Sequence, residues 1–156
     1  TIENAPVKEW ERMVHLHLLG LLYVAPAALP HLLKAAEQDP RHVADLVNIS
    51  SVAGRVARRG SGVYNLTKFG VGAFSESLRQ EVTGRHVRIS LVEPGAVETE
   101  LISHLRPEIQ EQTEKRLANM ERLQADDIAD AIMYIVTRSR RVAVNELLIR
   151  PTEQEA

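Results

Sequence analysis

The sequence predicts an α/β fold built on a parallel sheet, and three observations predict it. Residues 43–49, Val-Ala-Asp-Leu-Val-Asn-Ile, have the β-branched, mostly apolar character of a buried parallel strand. After Gly62, Leu66, Ala73, Phe74, Ser77, Leu78 and Val82 recur at three- and four-residue steps, which predicts a long helix to about Thr83. Residues 87–93, Val-Arg-Ile-Ser-Leu-Val-Glu, then read as a second strand closed by Pro94-Gly95. Strand, helix and strand at this spacing imply a right-handed parallel crossover.

The other elements follow in order. Residues 6–37 read as one long helix. Pro6 suits its first turn, Trp10, Met13, Val14, Leu18, Leu21 and Leu22 make its apolar stripe, and Pro26 and Pro30 predict a kink or a split. Gln38-Asp-Pro-Arg-His42 is a polar turn. The first strand leads to a basic loop, residues 54–60, in which Arg55, Arg58 and Arg59 either meet an anionic substrate or are simply solvated. Gly84, just past the second helix, is expected as its left-handed C-cap. Residues 101–120 are charge-rich and read as a helix with Pro107 near its start. Residues 125–138 form an amphipathic helix whose acids lead and whose basic end, Arg138, Arg140 and Arg141, matches the helix dipole. Residues 142–149 read as a last strand and 151–156 as a tail.

Composition removes several function classes. The chain has 156 residues, enough for one domain with a real core, and its 44% hydrophobic and 26% charged content is that of a soluble globular protein. A net charge of −2 gives no electrostatic case for nucleic acid. There is no cysteine, so disulfides and thiolate chemistry are excluded, which fits a cytoplasmic protein. The longest apolar run, residues 18–30, carries two prolines and falls short of the roughly 20 residues of a membrane span. The first residues have neither a basic flank nor an apolar core, so no signal peptide is expected. Of six histidines, His15 and His17 are two apart and point to different sides of a helix, and the rest are scattered, so no metal site is expected.

The chemistry concentrates between Asn48 and Lys68. Ser51 precedes Tyr64 by 13 positions, and Tyr64 precedes Lys68 by 4. Four residues are one helical turn, so phenol and ammonium share a face. An ammonium beside a phenol favours the phenolate and lowers its pKa from about 10, at about 1.4 kcal/mol per unit. A tyrosine tuned in this way is a usable general acid or base.

Asn48-Ile-Ser-Ser51, Tyr64-x-x-x-Lys68 and Glu93-Pro-Gly-Ala-Val-Glu-Thr99, in that order, resemble the short-chain dehydrogenase/reductase family. A lone Tyr-x-x-x-Lys is weak, but the three together on the right elements are specific. The resemblance runs from Trp10 to Gln154. The stretches beginning at Leu123 and Asn145 look closest to the bacterial NADP-dependent 3-hydroxy acid (serine-type) dehydrogenases and the clavulanate-aldehyde reductase. It implies a doubly wound, Rossmann-like sheet, and a hydride transfer between NADP(H), or NAD(H), and a carbonyl or alcohol. It implies catalytic roles for Ser51, Tyr64 and Lys68, with Tyr64 and Lys68 also at the cofactor. It implies cofactor contacts at Pro94, Gly95, Val97 and Thr99. The family's fourth catalytic residue, an asparagine in Asn-Leu-x-Gly, falls at His17 in His17-Leu-Leu-Gly20, either as a working replacement or as a sign of an altered proton relay. Residues 101–120 take the place of a mobile substrate lid. The Tyr64 helix, with Phe69, Val71 and Phe74, implies a homodimer or homotetramer to which the tail contributes.

No Gly-x-Gly-x-x-Gly cluster is present; Gly54, Gly60 and Gly62 flank the serine loop and none follows an N-terminal strand. By resemblance the sequence therefore reads as the C-terminal portion of a single short-chain dehydrogenase domain, without the nucleotide-binding half. Two other readings stand beside the enzyme: a catalytically silent member acting as an oligomerising or binding module, which His17 favours and the intact Ser51, Tyr64 and Lys68 oppose, and an anion-binding module using the Arg55 to Arg59 loop.

Overall fold

The computed structural model describes residues 2–155; Thr1 and Ala156, the outermost residues of the expected leader-free start and of the tail, lie outside them. Three parallel strands, β1 (Ala44–Ile49), β2 (Val87–Pro94) and β3 (Glu146–Ile149), form one sheet in that order. The helices are α1 (Val7–Val14), α2 (Gly20–Gln38), α3 (Gly62–Val82), α4 (Pro107–Leu117) and α5 (Ala125–Val136). The α/β class and the β1–α3–β2 parallel connection are as the sequence predicts.

All eight residues of β2 are buried, because strands flank it and helices cover both faces. Alternate residues of a strand face opposite ways. Val87 and Ile89 join Ala44, Ala25 and Ala36 of α2 and Leu78 and Val82 of α3 in one core cluster, with Leu29, Leu32, Leu33 and Phe74 packed on it. On the other face Arg88 reaches the last carbonyl of α5 and those of the segment that follows it: Nη2 donates to Val136 (3.4 Å), and Nη1 to Arg138 (3.1 Å), Ser139 (3.2 Å) and Val142 (2.7 Å). Its remaining donors form a two-pronged pair with Asp45, the residue opposite it in β1, at 2.7 and 2.8 Å. Both side chains are buried, so the pair clamps β1, β2 and the end of α5 together.

Several sequence expectations need correction. The first helical stretch does not break at its prolines; α2 runs through Pro26 and Pro30, and the irregularity is a turn of π-helix at His15–Leu19 between α1 and α2. Counted as one helical stretch, Val7–Gln38 is long and apolar enough to cross a membrane, with a mean hydropathy of 1.6 over 18 residues, so the length argument excluding one does not hold. Its inner stripe instead packs on the sheet through Ala25, Leu29, Leu32, Leu33 and Ala36. Gly84 is not a left-handed cap: α3 ends in a 3₁₀ turn, Thr83–Arg85, and His86 takes the left-handed backbone at φ 62°. The last strand is half the expected length, because the Val142 carbonyl is taken by Arg88 before the ladder begins. The inner face of α3 is Asn65, Val71, Ser75, Leu78 and Val82, whereas Leu66 and Ala73, expected inside, face outward with Phe69.

Candidate active site

The site forms where β1 and β2 end. The chain leaves β1 through Ser50 and Ser51 and makes a 3₁₀ turn at Val52–Gly54, capped by the Ser51 Oγ, which accepts from the Ala53 amide at 3.1 Å. The same hydroxyl donates to the Pro94 carbonyl at the end of β2, at 3.4 Å. Ser50 Oγ donates to the Lys68 carbonyl at 2.9 Å, which stitches the turn to α3. Gly54 is the point of closest approach. A Cβ there would lie 2.7 Å from Ser50 Oγ and 3.0 Å from the Lys68 carbonyl oxygen, so a side chain at this position would push the serine turn off the helix.

Across that junction Tyr64 and Lys68 share one face of α3, as their spacing predicts. Lys68 Nζ lies 5.8 Å from the centre of the Tyr64 ring, and its one hydrogen bond among the described residues, to the Ile49 carbonyl, is long at 3.4 Å. The Ser51 hydroxyl lies close enough to the Tyr64 phenol to lower it. His17 completes the group from the π turn. Its ring meets the Tyr64 ring edge-on, with centroids 6.0 Å apart and planes at 73°, and Nδ1 lies 3.3 Å from Thr67 Oγ1. Single π turns inside α-helices often mark sites; here the turn carries His17, which lies against Tyr64 and Thr67 of α3.

The electrostatics differ from the sequence expectation in one respect. Burial pushes the Tyr64 phenol up from its ordinary value, and the Ser51 hydroxyl pulls it only partly back. Burial likewise pushes the Lys68 ammonium down. The ammonium lies over the ring and toward the Ile49 carbonyl, so desolvation outweighs its pull on the phenol. Burial and the charge of Lys68 both lower His17, which keeps its imidazole neutral, one nitrogen donating and the other accepting.

Two neighbours that the sequence did not single out hold this arrangement. Asn65, next to Tyr64 and buried, donates to the carbonyls of Ala53 (2.7 Å) and Val56 (3.1 Å) and accepts from the Arg58 amide (3.2 Å). It therefore fixes the serine loop to the helix that carries the tyrosine. Buried Thr67 donates to the Tyr64 carbonyl at 2.8 Å while facing His17. The only available signal was that they are polar side chains on the inner face of the helix.

The expected cofactor segment lies along the same edge. Pro94 ends β2, and the Gly95 amide donates to the Ile149 carbonyl at 2.6 Å. Gln154 and Pro151 pack on Gly95 so closely that a Cβ would collide with them, and Gln154 Oε1 accepts from the Ala96 amide at 2.9 Å. Val97 pairs with Leu123 through the amides on either side of it: Leu123 donates to Ala96 (3.0 Å) and Glu98 donates to Leu123 (2.7 Å). The N–H and C=O of Val97 itself therefore point away from Leu123, as a carboxamide partner requires. Thr99 Oγ1 accepts from the Leu101 amide at 3.3 Å at the start of a 3₁₀ turn, Glu100–His104.

Of the three loop arginines, Arg55 is not free to meet a substrate. Its Nε donates to both oxygens of Glu93, at 2.8 and 2.9 Å, and Nη2 pairs with Glu93 at 2.7 Å and with Glu146. Glu93 is 1% exposed, and these bonds hold the Arg55 guanidinium above its ordinary range. Among the described residues no group of acids, histidines and cysteines is placed to hold a metal.

Known proteins resemble this chain in sequence and fold. A family model described as short chain dehydrogenase matches residues 1–110. An uncharacterized oxidoreductase of Staphylococcus saprophyticus is 37% identical over 155 residues, 98% of this chain and 60% of that protein. One of Staphylococcus aureus is 32% identical over 150 residues, covering 96% and 58%. Among solved structures, the closed form of a serine dehydrogenase complexed with NADP+ superposes with a TM-score of 0.87 at 32% identity, over 99% of this chain and 60% of that one. A serine dehydrogenase from Escherichia coli gives 0.77 at 28%, over 99% and 59%. The chain thus spans about 60% of the length of the proteins it matches, and its three-stranded sheet with flanking helices matches part of their larger Rossmann-like fold. With the family model matched over more than half its length, this chain belongs to the short-chain dehydrogenase family.

Proposed function

We propose that the whole protein is an NADP(H)-linked oxidoreductase acting on a small carbonyl or alcohol, with Ser51, Tyr64, Lys68 and His17 as its working groups. The observation that carries this reading is the convergence of those four side chains from the serine turn, α3 and the π turn onto one point at the C-terminal edge of the sheet, where open α/β sheets bind their ligands.

NADP(H), when bound, supplies or accepts the hydride. The residues present fit its nicotinamide end: the Val97 N–H and C=O for the carboxamide, the Thr99 hydroxyl beside it, the Pro94-Gly95 turn beneath, and the Lys68 ammonium, whose one long hydrogen bond leaves donors to spare for a ribose. Ser51 donates a hydrogen bond to the substrate oxygen and stabilises the negative charge that develops there during reduction. Tyr64 passes its proton to that oxygen; its raised pKa keeps the proton on the phenol until it is needed. Lys68 stabilises the phenolate left behind, and it does so more strongly there than in the resting state, because a charged oxygen then faces it. Neutral His17, between Thr67 and the Tyr64 ring, stands where a water can be held between imidazole and Lys68 to return the proton. Oxidation of an alcohol runs the same steps backwards.

An apolar surface on α3 and the first helical stretch supports a homodimer or homotetramer. Leu66 and Phe69 lie 61% and 45% exposed, and Leu16, Tyr23 and Val24 are exposed beside the π turn. The cysteine-free composition supports a cytoplasmic setting. The test is to titrate the whole protein with NADPH and with NADH by fluorescence, then to follow NADPH consumption with aldehydes, ketones and 3-oxo acids. Saturable NADPH binding and turnover of at least one carbonyl are expected. A protein that binds neither nucleotide refutes the reading.

A further inference from the structure

The Thr67 hydroxyl stands between Tyr64 and His17. Thr67 is fully buried on α3, directly before Lys68. Its Oγ1 lies 2.8 Å from the Tyr64 carbonyl oxygen and 3.3 Å from His17 Nδ1. A hydroxyl has one proton to give and two lone pairs with which to accept. An O–H donor prefers contacts of about 2.5–3.0 Å, whereas an N–H donor tolerates longer ones. The Thr67 proton therefore belongs to the shorter contact, a bond back to the preceding helical turn. The longer contact is then made in the one way left: His17 Nδ1 carries a hydrogen and donates it to Thr67 Oγ1.

A neutral imidazole carries one ring hydrogen, and the hydrogen bond at one nitrogen decides the state of the other. With Nδ1 protonated, Nε2 is a bare lone pair. Among the described residues Nε2 has no protein partner, yet it is not an enclosed atom, so it opens to water. The ring is held at a second point by its edge-on contact with Tyr64, centroid to centroid 6.0 Å. Lys68 Nζ lies 5.8 Å from the same Tyr64 centre, so imidazole and ammonium border one phenol.

We propose that Thr67 is a positioning residue that fixes His17 in the tautomer protonated on Nδ1, so that Nε2 is the nitrogen through which protons return to the site. This rests on the oxidoreductase reading above. In each reduction one proton passes from the Tyr64 phenol to the substrate oxygen, and one must come back from water to the phenolate. Nε2 takes that proton from water and releases it toward Lys68 and the phenolate, ending neutral. Nδ1 keeps its hydrogen on Thr67 throughout. The other tautomer presents an N–H where a lone pair is needed and takes up no proton there.

The test uses the whole protein labelled with nitrogen-15 histidine, its Thr67→Val and Thr67→Ser variants, and His17→Asn to assign the signal. Valine keeps the shape of threonine, and the Tyr64 carbonyl keeps the helical N–H four residues on, so the fold should hold. At about pH 8, above the ordinary histidine value of about 6.5, nitrogen shifts separate a protonated from a bare ring nitrogen. Wild type and Thr67→Ser should show hydrogen on Nδ1 and a bare Nε2, and Thr67→Val should move hydrogen onto Nε2. Loss of one ordinary hydrogen bond shifts a tautomer ratio by about 2- to 10-fold. In Thr67→Val kcat should fall by that factor, with KM and NADPH affinity unchanged, and Thr67→Ser should recover it. A wild type with hydrogen on Nε2, or a Thr67→Val protein with an unchanged tautomer, overturns the proposal. So does a tautomer that shifts while kcat stays put, or a loss of kcat that Thr67→Ser does not recover. If the protein binds no nucleotide but shows the expected tautomers, the oxidoreductase reading fails while the pairing of Thr67 with His17 stands.

Discussion

Replacing Arg55 with methionine separates a structural role from a substrate-facing one. Glu93 is 1% exposed and sits at the end of β2, one residue before the Pro94-Gly95 turn. Its carboxylate receives the Arg55 guanidinium at 2.7, 2.8 and 2.9 Å. Removing one partner of a fully buried pair costs about 3–5 kcal/mol, because the other charge stays behind unpaired. Arg55 itself is 42% exposed, so part of its attraction is already screened by water, and the lower end, about 2–3 kcal/mol, is expected. Arg55→Lys should recover only part of this, since an ammonium cannot reproduce the two-pronged contact. The assay is urea unfolding of the whole protein, in which the midpoint should fall while the slope stays constant. A variant within about 0.5 kcal/mol of wild type that instead shows a selective rise in KM for anionic substrates would refute the assignment and return Arg55 to the substrate.

Three further outcomes are expected. Asp45→Asn should cost about 3 kcal/mol by leaving the buried Arg88 without its carboxylate, while Asp45→Asn combined with Arg88→Met should restore part of the loss; equal and additive losses in a double-mutant cycle would show that the pair is not coupled. His17 is held below its ordinary 6.5, so the unfolded chain binds more protons as the medium acidifies, and the stability due to this group is lost as pH falls below about 6.5. His17→Asn should therefore lose less thermal stability than wild type between pH 7 and pH 5, and identical slopes would contradict the placement of His17 beside Lys68. Gly54→Ala should cost about 1–3 kcal/mol and lower turnover, since its Cβ meets Ser50 Oγ and the Lys68 carbonyl; a fully active, fully stable variant would show that the serine turn does not lie against α3 as described.

Much of this was legible because it rests on local signals. The buried strands announce themselves by β-branched runs, and the pairing of Tyr64 with Lys68 follows from helical spacing alone. The π turn was not legible, since His15–Leu19 has the composition of ordinary helix. The fate of the loop arginines was not legible either. Arg55 is claimed by Glu93, 38 residues away, a relation that leaves no mark on nearby sequence. The shortened β3 has the same origin: Arg88 on the neighbouring strand captures the Val142 carbonyl. The pull of Lys68 on the Tyr64 phenol was overestimated because spacing fixes which face a side chain occupies, not how much water it loses.

The central claim is that Tyr64 moves the proton while Ser51 steadies the substrate oxygen. It is tested most directly by steady-state NADPH consumption with the whole protein and its Tyr64→Phe variant, alongside NADPH titration of both. The account predicts that kcat falls by about 10²- to 10⁴-fold while nucleotide affinity and thermal midpoint stay near wild type. A Tyr64→Phe protein that turns over at close to the wild-type rate would contradict it.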